Sequence, residues 1–322
     1  MYDVPILFLT FNRLDTAKQV LEVIREIKPS RFYLASDGPR EEKKGEDKEI
    51  EIIREYLLEY IDWECDVKTL FRDRNLGCRK AVTEAINWFF EWEEEGIILE
   101  DDCVPDLTFF PYIEELLKRY RHDNRVMAVC GNNFENSSIE AQYSYVFSRY
   151  SLMWGWATWR RAWKLNDQGM SDWPRLRETN WLRNLGIGGA AFSARWTTIF
   201  DEIYSGRLKT TWDYQWIYSC WREHGLTILP EKNLVKNIGS GPDADATHTS
   251  GDRHFSTRLV LNSMSFPLRH PHQMEVSYAT DRMLSKEWFY VNSIAIVRHI
   301  ILTNSILRGM NTLRKSLLVS QQ

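Results

Sequence analysis

The stretch Ile97-Ile98-Leu99-Glu100-Asp101-Asp102-Cys103 joins a short apolar run to three successive acids. Such a run, bounded by polar residues, is typical of a buried β-strand. Ligands of open α/β sheets bind just outside the carboxyl ends of the strands. Three neighbouring carboxylates repel one another, and a hard divalent cation, Mg²⁺ or Mn²⁺, would supply the compensating charge. The alternative is a solvated acidic turn after a strand, and this stretch alone leaves both open.

Apolar runs alternate with helical patterns on both sides of this stretch. We predict strands over residues 4–9, 32–35, 67–71, 96–99 and 126–130, and helices over residues 15–27, 48–61, 79–92 and 109–120. Strands and helices that alternate at this spacing predict an α/β fold, with a mainly parallel central sheet, helices on both faces and a Rossmann-like arrangement. A further helical pattern covers residues 284–319.

The alternation ends after residue 131, where the chain becomes irregular and aromatic. Ten of the 14 tryptophans lie between Trp154 and Trp221. This density predicts an aromatic core, an aromatic-lined cleft, or both. Trp156, Trp159 and Trp163 are spaced as on one helical face, which predicts core packing for the last two. We divide the chain into three parts, residues 1–131, 132–256 and 257–322.

Charge and cysteine content exclude several classes of protein. Lys and Arg number 41 against 45 Asp and Glu, a net charge of −4, which does not favour a nucleic-acid binder. The five cysteines include no Cys-X-X-Cys pair, which predicts free thiols in a reducing compartment. We see no signal-peptide pattern and no apolar stretch of 18 residues, so we expect a cytoplasmic protein.

Several motifs resemble those of GT-A fold glycosyltransferases, specifically the N-acetylglucosaminyltransferase I-like and bacterial family 2-like enzymes. The resemblance spans roughly residues 3–250. It rests on motifs that occur in the order of that family, at predicted strand ends and in the aromatic part: Thr10-Phe11-Asn12-Arg13, Ser36-Asp37-Gly38, Arg74-Asn75-Leu76-Gly77, Glu100-Asp101-Asp102, Trp154-Gly155-Trp156-Ala157-Thr158-Trp159 and Trp212-Asp213-Tyr214-Gln215-Trp216. The acceptor side departs from the animal enzymes, so no acceptor follows from the resemblance.

The resemblance implies a role for each matching residue. Asp102 would bind the metal, with His248 as a further ligand, although an exposed loop histidine is the alternative. Asp213 would be the catalytic base, the alternative being a helix N-cap. Residues that would bind the donor are Thr10, Arg13 at the diphosphate, Asp37 at the nucleobase, Glu100 and Asp101. Asn75, Gly77 and Arg79, at the predicted start of a helix, could hold a phosphate, and an ordinary turn and helix cap is the alternative. Residues that would bind the acceptor are Trp154, Trp156, Trp212 and Trp216.

These roles describe a metal-dependent inverting glycosyltransferase, a hexosyl- or N-acetylhexosaminyltransferase. Residues 1–131 would bind a nucleotide-diphosphate sugar, with a UDP-sugar favoured, and residues 132–256 a saccharide or lipid-linked acceptor. The resemblance implies polysaccharide or glycolipid synthesis. The alternatives are a non-catalytic nucleotide-sugar-binding or scaffold protein, a metal-dependent phosphohydrolase, and a sugar-phosphate nucleotidyltransferase. The last would need a glycine-rich loop near the N-terminus, and residues 10–13 contain no glycine.

The C-terminal part, residues 257–322, combines apolar and basic residues in its helical pattern. This composition is typical of an amphipathic helix on a membrane surface, here the inner face of the cytoplasmic membrane. The alternative is a helix docked on the catalytic domain or on a second subunit.

Overall fold

A computed structural model describes residues 1–134, 142–239 and 259–303. The chain divides into two compact units. The first unit contains residues 1–168 and 210–277, and the second contains residues 169–209 and 278–322. Residues 1–131 lie within the first unit, whereas residues 132–256 and 257–322 are each divided between the two units. The functional roles of these three parts stay predictions.

The first unit is built on an eight-stranded sheet with the strand order β3-β2-β1-β4-β8-β6-β9-β7. Its strands are β1 (Ile6–Thr10), β2 (Arg31–Ser36), β3 (Asp66–Phe71), β4 (Glu95–Glu100), β6 (Val126–Cys130), β7 (Tyr145–Ser148), β8 (Trp156–Trp159) and β9 (Leu226–Pro230). A separate antiparallel pair consists of β5 (Cys103–Pro105) and β10 (Val235–Asn237).

Most neighbouring strands of the large sheet are parallel. Strands β3, β2, β1 and β4 run parallel, and so do β6 and β9. Strand β8 is antiparallel to both β4 and β6, and β7 is antiparallel to β9. Because β8 is antiparallel to both of its neighbours, β6 runs in the same direction as β4. The carboxyl ends of β1, β2, β3, β4, β6 and β9 therefore share one edge, which we call the carboxyl edge.

Helices cover both faces of this sheet. In the first unit they are α1 (Leu14–Ile27), α2 (Glu46–Glu59), α3 (Cys78–Trp92), α4 (Phe109–Tyr120), α5 (Arg160–Trp163) and α9 (Asp213–Arg222). Alternate strand residues such as Phe8 and Leu99 join one core cluster with the apolar faces of α1, α2 and α4. On the opposite face, the ring of Tyr33 meets the ring of Phe89 in α3 edge to face, with centroids 4.9 Å apart. The predicted α/β fold is thus confirmed.

The second unit is helical where the structure describes it. It contains α6 (Trp173–Arg177), α7 (Trp181–Asn184), α8 (Ala190–Tyr204), α10 (Tyr278–Met283), a π-helical turn (Leu284–Trp288) and α11 (Ser293–Thr303). The buried ring of Trp196 contacts Phe200 and Phe289, at centroid distances of 5.3 and 5.1 Å. Part of the tryptophan excess therefore forms the core of this unit.

The elements predicted over residues 1–131 are present with end shifts of a few residues, whereas β5 and the strands β7, β8, β9 and β10 were not predicted. Trp156 and Trp159 do not lie on one helical face, because β8 places them in a strand and α5 begins only at Arg160. Trp159 and Trp163 are nevertheless buried, as predicted. Of the C-terminal pattern, residues 304–319 lie outside the described residues. Within the described chain, no helix is both long enough and apolar enough to cross a membrane.

Candidate active site

Arg13 and two aspartates form an ionic cluster at the carboxyl edge. Only three residues separate β1 from α1, and this short turn brings Arg13 to the end of β4. The guanidinium donates through Nη1 to Oδ2 of Asp102 at 2.9 Å and through Nη2 to Oδ1 of Asp101. The backbone N–H of Phe11 donates to the other oxygen of Asp101 at 3.2 Å. Both carboxylates are thereby held before any ligand arrives.

The acids outnumber the positive charge at this cluster. Burial, together with the negative charges of Asp102 and Asp101, raises the pKa of Glu100 to about 8. Burial also raises the pKa of Asp101, against the opposing effect of Arg13. The pKa of Arg13 is raised, because attraction to the two aspartates outweighs the lowering by burial. Three carboxyl groups around one guanidinium form a site that favours an additional cation.

Asp102 is the residue here that could hold a metal ion. Mg²⁺ commonly uses one or two protein carboxylates and takes its other ligands from water and substrate phosphates, and a carboxylate at a ligand-binding edge fits that use. Among the described residues no three His, Cys, Asp or Glu side chains form a ready metal cage. The predicted ligand His248 lies outside the described residues. The metal therefore remains a prediction that rests on Asp102 and on the excess of acids.

The backbone at Gly239 lies directly against this cluster. A Cβ atom at Gly239 would lie 2.1 Å from Oδ2 of Asp102 and 2.7 Å from Nη1 of Arg13. Only glycine leaves room for the ion pair there, because any side chain would collide with it. This close approach places the chain after β10 beside the predicted diphosphate-binding residues.

Asp37 anchors the turn that precedes α3. It follows β2, is 8% exposed, and accepts backbone N–H bonds from Gly38, Leu76 and Gly77 at 3.0 to 3.2 Å. Burial raises its pKa, although these N–H groups act in the opposite direction. The amide of Asn75 adds a 2.9 Å bond to the carbonyl of Gly38. The predicted nucleobase contact of Asp37 is untested, and the structure shows Asp37 shaping the turn.

The remaining predicted donor residues are engaged within the protein. The Thr10 hydroxyl is buried and donates to the carbonyl of Ala35 at 3.3 Å. Gly77 has a φ of +78°, which glycine adopts without strain, and its carbonyl accepts the N–H of Ala81 in the first turn of α3. Arg79 donates to the carbonyl of Gln168. Their predicted contacts with a donor stay predictions.

Asp213 begins α9 and lies near the same acids. Its negative charge contributes to the raised pKa of Glu100 and to that of Cys78, the first residue of α3. Its side chain is half-buried. The structure thus brings together Arg13, Asp101 and Asp102, and it places Asp213 close enough for its charge to act on Glu100. A carboxylate at the margin of an acidic, metal-favouring cluster is suited to accept a proton.

Three of the four predicted acceptor tryptophans are core residues in this structure. Trp156 and Trp216 are 0% exposed and Trp212 is 4% exposed. Their rings pack on one another, with centroids 5.9 Å apart for both Trp156–Trp212 and Trp156–Trp216. This burial is a correction to the acceptor-binding role predicted for these three residues, because Trp156 of β8 packs against Trp216 of α9 and neither ring is open to a ligand. Only Trp154 keeps part of its surface exposed, beside Phe134 at 5.0 Å.

Asn132 is a candidate site residue that sequence reasoning missed. It follows β6 at the carboxyl edge and is 0% exposed, yet neither its Nδ2 nor its Oδ1 has a hydrogen-bond partner among the residues that the structure describes. The neighbouring Asn133 differs, because its Nδ2 donates to the carbonyl of Pro230 at 2.8 Å. The available signal was Gly131-Asn132-Asn133 directly after an apolar strand. A buried amide without partners is costly unless a ligand or water completes it.

Comparisons with known proteins show similarity at the level of fold only. No protein-family model matches the sequence, and no curated protein matches it. Similar solved structures include HddC from Yersinia pseudotuberculosis (11% identity, TM-score 0.29, covering 49% of this chain and 77% of that one). They also include 4-diphosphocytidyl-2C-methyl-D-erythritol synthase from Anaerococcus prevotii (9%, 0.33, 51% and 74%) and the inositol-1-phosphate CTP transferase from T. maritima (10%, 0.36, 80% and 96%).

The last of these is named a CTP transferase. At these identities and TM-scores, the similarity assigns no activity to this chain.

Proposed function

We propose that this chain is a metal-dependent inverting glycosyltransferase that moves a sugar from a nucleotide-diphosphate donor, with UDP favoured, to a hydroxyl group. The observation that carries the proposal is the pairing of Arg13 with Asp101 and Asp102 at the carboxyl edge, with Asp213 close enough for its charge to act on Glu100. This arrangement supplies a diphosphate-binding guanidinium, a carboxylate for a metal and a separate carboxylate for proton transfer. The acceptor would be a saccharide or a lipid-linked saccharide, in polysaccharide or glycolipid synthesis.

Arg13 has the geometry to bind the donor diphosphate. Its planar guanidinium presents several N–H donors, and such a group binds phosphate oxygens in pairs. Its side chain is about one-third exposed, whereas the aspartates that hold it are nearly buried. Mg²⁺ or Mn²⁺ at Asp102 would supply further neutralisation of the departing diphosphate.

Asp213 would act as the base. In an inverting transfer, the acceptor oxygen attacks the anomeric carbon, its proton passes to the carboxylate, and the bond to the diphosphate oxygen breaks with its electron pair. Burial and the negative charges of Asp102 and Asp101 raise the pKa of Glu100, whereas Asp213 is half-buried, so the two carboxyl groups lie in different environments.

Sugar-phosphate nucleotidyl transfer is the second candidate. That reaction joins a nucleoside triphosphate to a sugar phosphate and releases pyrophosphate, and it matches the names of two similar solved structures. The turn between β1 and α1 is against it: residues 11–13 form a three-residue connection without glycine, too short to wrap a triphosphate in backbone N–H groups.

Two parallel assays separate these reactions. The purified chain with Mn²⁺ is incubated with UDP-, GDP-, dTDP- and CMP-sugars, and release of the nucleotide is measured. The same chain is incubated with nucleoside triphosphates and sugar 1-phosphates, and release of pyrophosphate is measured. Nucleotide release from a sugar nucleotide supports the proposal, and pyrophosphate release alone would replace it by nucleotidyl transfer.

Donor binding is tested separately by thermal shift. We expect UDP to stabilise the chain in the presence of Mn²⁺, and Asp102→Asn to lose most of that shift, because Asp102 holds the metal. Asp47→Asn, an exposed aspartate of α2, is the matched control and should keep the full shift. Equal UDP shifts for both variants with and without Mn²⁺ would remove the metal from the proposal. Binding without turnover by the unaltered chain would favour the scaffold alternative.

A further inference from the structure

Strand β3 lies at one end of the large sheet. In the part of the chain that the structure describes, β2 is the only strand that pairs with it, through a parallel ladder. The N–H groups of Asp66 and Arg72 donate to carbonyl groups at the two ends of β2, at 2.8 and 3.1 Å. The even-numbered residues of β3 therefore face β2. Because the direction alternates along a strand, Val67, Thr69 and Phe71 direct their N–H and C=O groups away from the sheet.

The lysine of this strand does not cover its outer side. A lysine on an edge strand commonly prevents pairing with another chain. The Nζ of Lys68 lies 5.6 Å from the ring centroid of Tyr33 in β2 and 5.3 Å from that of Trp92, so it lies over the sheet. Trp92 itself is 59% exposed. An exposed indole beside an outer strand is typical of an interaction surface, because Trp is enriched among the residues that dominate protein interfaces.

The charges along this edge divide into an acidic and a basic part. Residues 62–66 contain three acids and no base, and residues 67–74 contain three bases and one acid. An antiparallel strand of the same sequence places its basic part opposite the acidic part of β3, whereas a parallel copy places like charges opposite one another. The edge is therefore complementary to itself in the antiparallel orientation, and this selects a second copy of the chain as the partner.

We propose that β3 pairs antiparallel with β3 of a second copy of this chain, so that the two sheets join across a two-fold axis at Thr69. In this register Asp66 faces Arg72 of the second copy, and Val67 faces Phe71. All three outward-facing residues of each copy then form inter-strand hydrogen bonds, and the contact is the same on both copies, as two-fold symmetry requires. The inference does not depend on the proposed reaction.

The mass of the full chain in solution is the first test. Light scattering after gel filtration is measured from low to high micromolar concentration. We expect a mass that rises with concentration towards twice the 38.2 kDa of one chain. A monomer at every concentration would overturn the proposal.

Proline at the axis tests the hydrogen bonds of the edge. Thr69→Pro removes an outward-facing N–H that β2 does not use, and proline is tolerated at such positions of an edge strand. Each copy loses one inter-strand bond, so the dissociation constant of the dimer should rise about tenfold or more. Thr69→Ala keeps the N–H group and should change it little. Equal constants for the two variants, both folded by circular dichroism, would overturn the pairing through β3.

Charge reversal tests the orientation independently, and it decides the matter if the proline variant does not fold. Asp66→Arg places a base opposite Arg72 of the second copy, at a side chain that is 59% exposed, and should weaken the dimer about tenfold. Asp47→Arg, at an exposed position of α2, is the matched control and should leave the constant unchanged. The same dissociation constant for both variants would contradict the antiparallel arrangement.

Crosslinking locates the axis. Facing residues of a hydrogen-bonded antiparallel pair have Cα atoms about 5.5 Å apart, which is within the range of a disulfide. In a chain with Cys65→Ser and Cys78→Ser, we expect Thr69→Cys to form a covalent dimer under mild copper-catalysed oxidation by air, and Asp47→Cys not to do so. Absence of the covalent dimer for Thr69→Cys, or equal crosslinking of both variants, would place the contact elsewhere and refute the proposal.

Discussion

Two sides of the carboxyl edge satisfy their polar groups in opposite ways. At the ends of β1 and β4, Arg13, Asp101 and Asp102 are bonded to one another before any ligand is present. At the end of β6 and the start of β8, the amide of Asn132 and the indole Nε1 of Trp156 are buried and have no hydrogen-bond partner in the described part of the chain. The side chains of the first set are bonded to one another, whereas those of the second set have no hydrogen-bond partner among the described residues.

The two groups of side chains would therefore bind a ligand in different ways. In the preformed ion pairs, a diphosphate can replace one of the carboxylates as a partner of Arg13. The charged side chains are already oriented in the folded protein, so ligand binding does not have to order them. Buried polar atoms without partners lower the stability of the ligand-free protein and gain their bonds only when water or a ligand arrives. The comparison therefore predicts which substitutions change activity and which change stability.

The largest effect is expected at Asp213. Asp213→Asn removes the proposed base while keeping the shape of the side chain, so turnover should fall about 10²- to 10⁴-fold. The UDP thermal shift with Mn²⁺ should stay unchanged, because the donor binds at Arg13 and Asp102. Turnover is measured as nucleotide release from the sugar nucleotide, with Asp47→Asn as control. Turnover equal to that of the unaltered chain would leave the α9 N-terminus as a structural cap only.

Asn132 and its neighbour Asn133 test the second side directly. Asn133→Ala breaks a 2.8 Å bond and leaves the carbonyl of Pro230 short of a partner, so it should lower the free energy of unfolding by about 1–3 kcal/mol. Asn132→Ala removes an amide with no partner and should cost less stability. If substrate completes that amide, kcat/KM should fall about tenfold or more. Denaturant unfolding and steady-state kinetics measure both variants, and the opposite pattern would show that Asn132 is only a packing residue.

Most of the central sheet could be predicted from the sequence because its signals are local. The apolar runs around Phe8, Leu34 and Leu99 are bounded by turns and followed by helical patterns, and these patterns decide strand and helix without knowledge of distant contacts. Charged residues directly after these strands had to share one edge once the strands were parallel. Arg13, Asp101 and Asp102 were therefore predictable as neighbours.

The aromatic part was less predictable because its structure depends on distant pairing. The segment Trp156–Trp159 becomes a strand only by entering the sheet between β4 and β6, and its tryptophan spacing resembles a helix instead. Burial of Trp216 depends on the position at which α9 packs, and no local sequence pattern predicts that position. Asn132 was missed because its hydrogen bonding also depends on distant residues. The sequence shows an amide after a strand but not whether that amide has a hydrogen-bond partner.

A smaller effect concerns the pH dependence of stability. The pKa of Glu100 is about 8 in the folded chain and that of an ordinary glutamate when unfolded is near 4.3. As the pH rises, the unfolded state loses this proton at a lower pH than the folded state does. The contribution of Glu100 to the free energy of unfolding is therefore complete below about pH 4 and is lost as the pH rises through 8. Glu100→Gln should flatten the decline of the unfolding free energy between pH 5 and 8. Denaturant unfolding in the presence of a chelator measures this, and identical pH profiles for both proteins would contradict the burial of Glu100.

The smallest effect is expected from Trp216→Phe. Phenylalanine keeps most of the packing against Trp163, whose ring centroid lies 5.1 Å away, and removes an indole N–H that has no partner. The unfolding free energy should therefore change by about 1 kcal/mol, and the KM for the acceptor should not change. Trp154→Phe is the comparison, because Trp154 is partly exposed and can reach an acceptor. A rise in acceptor KM for the Trp216 variant would mean that the buried indoles open to a sugar during turnover. A rise in acceptor KM for the Trp154 variant alone would identify the partly exposed Trp154, and not the buried tryptophans, as the place where a sugar stacks.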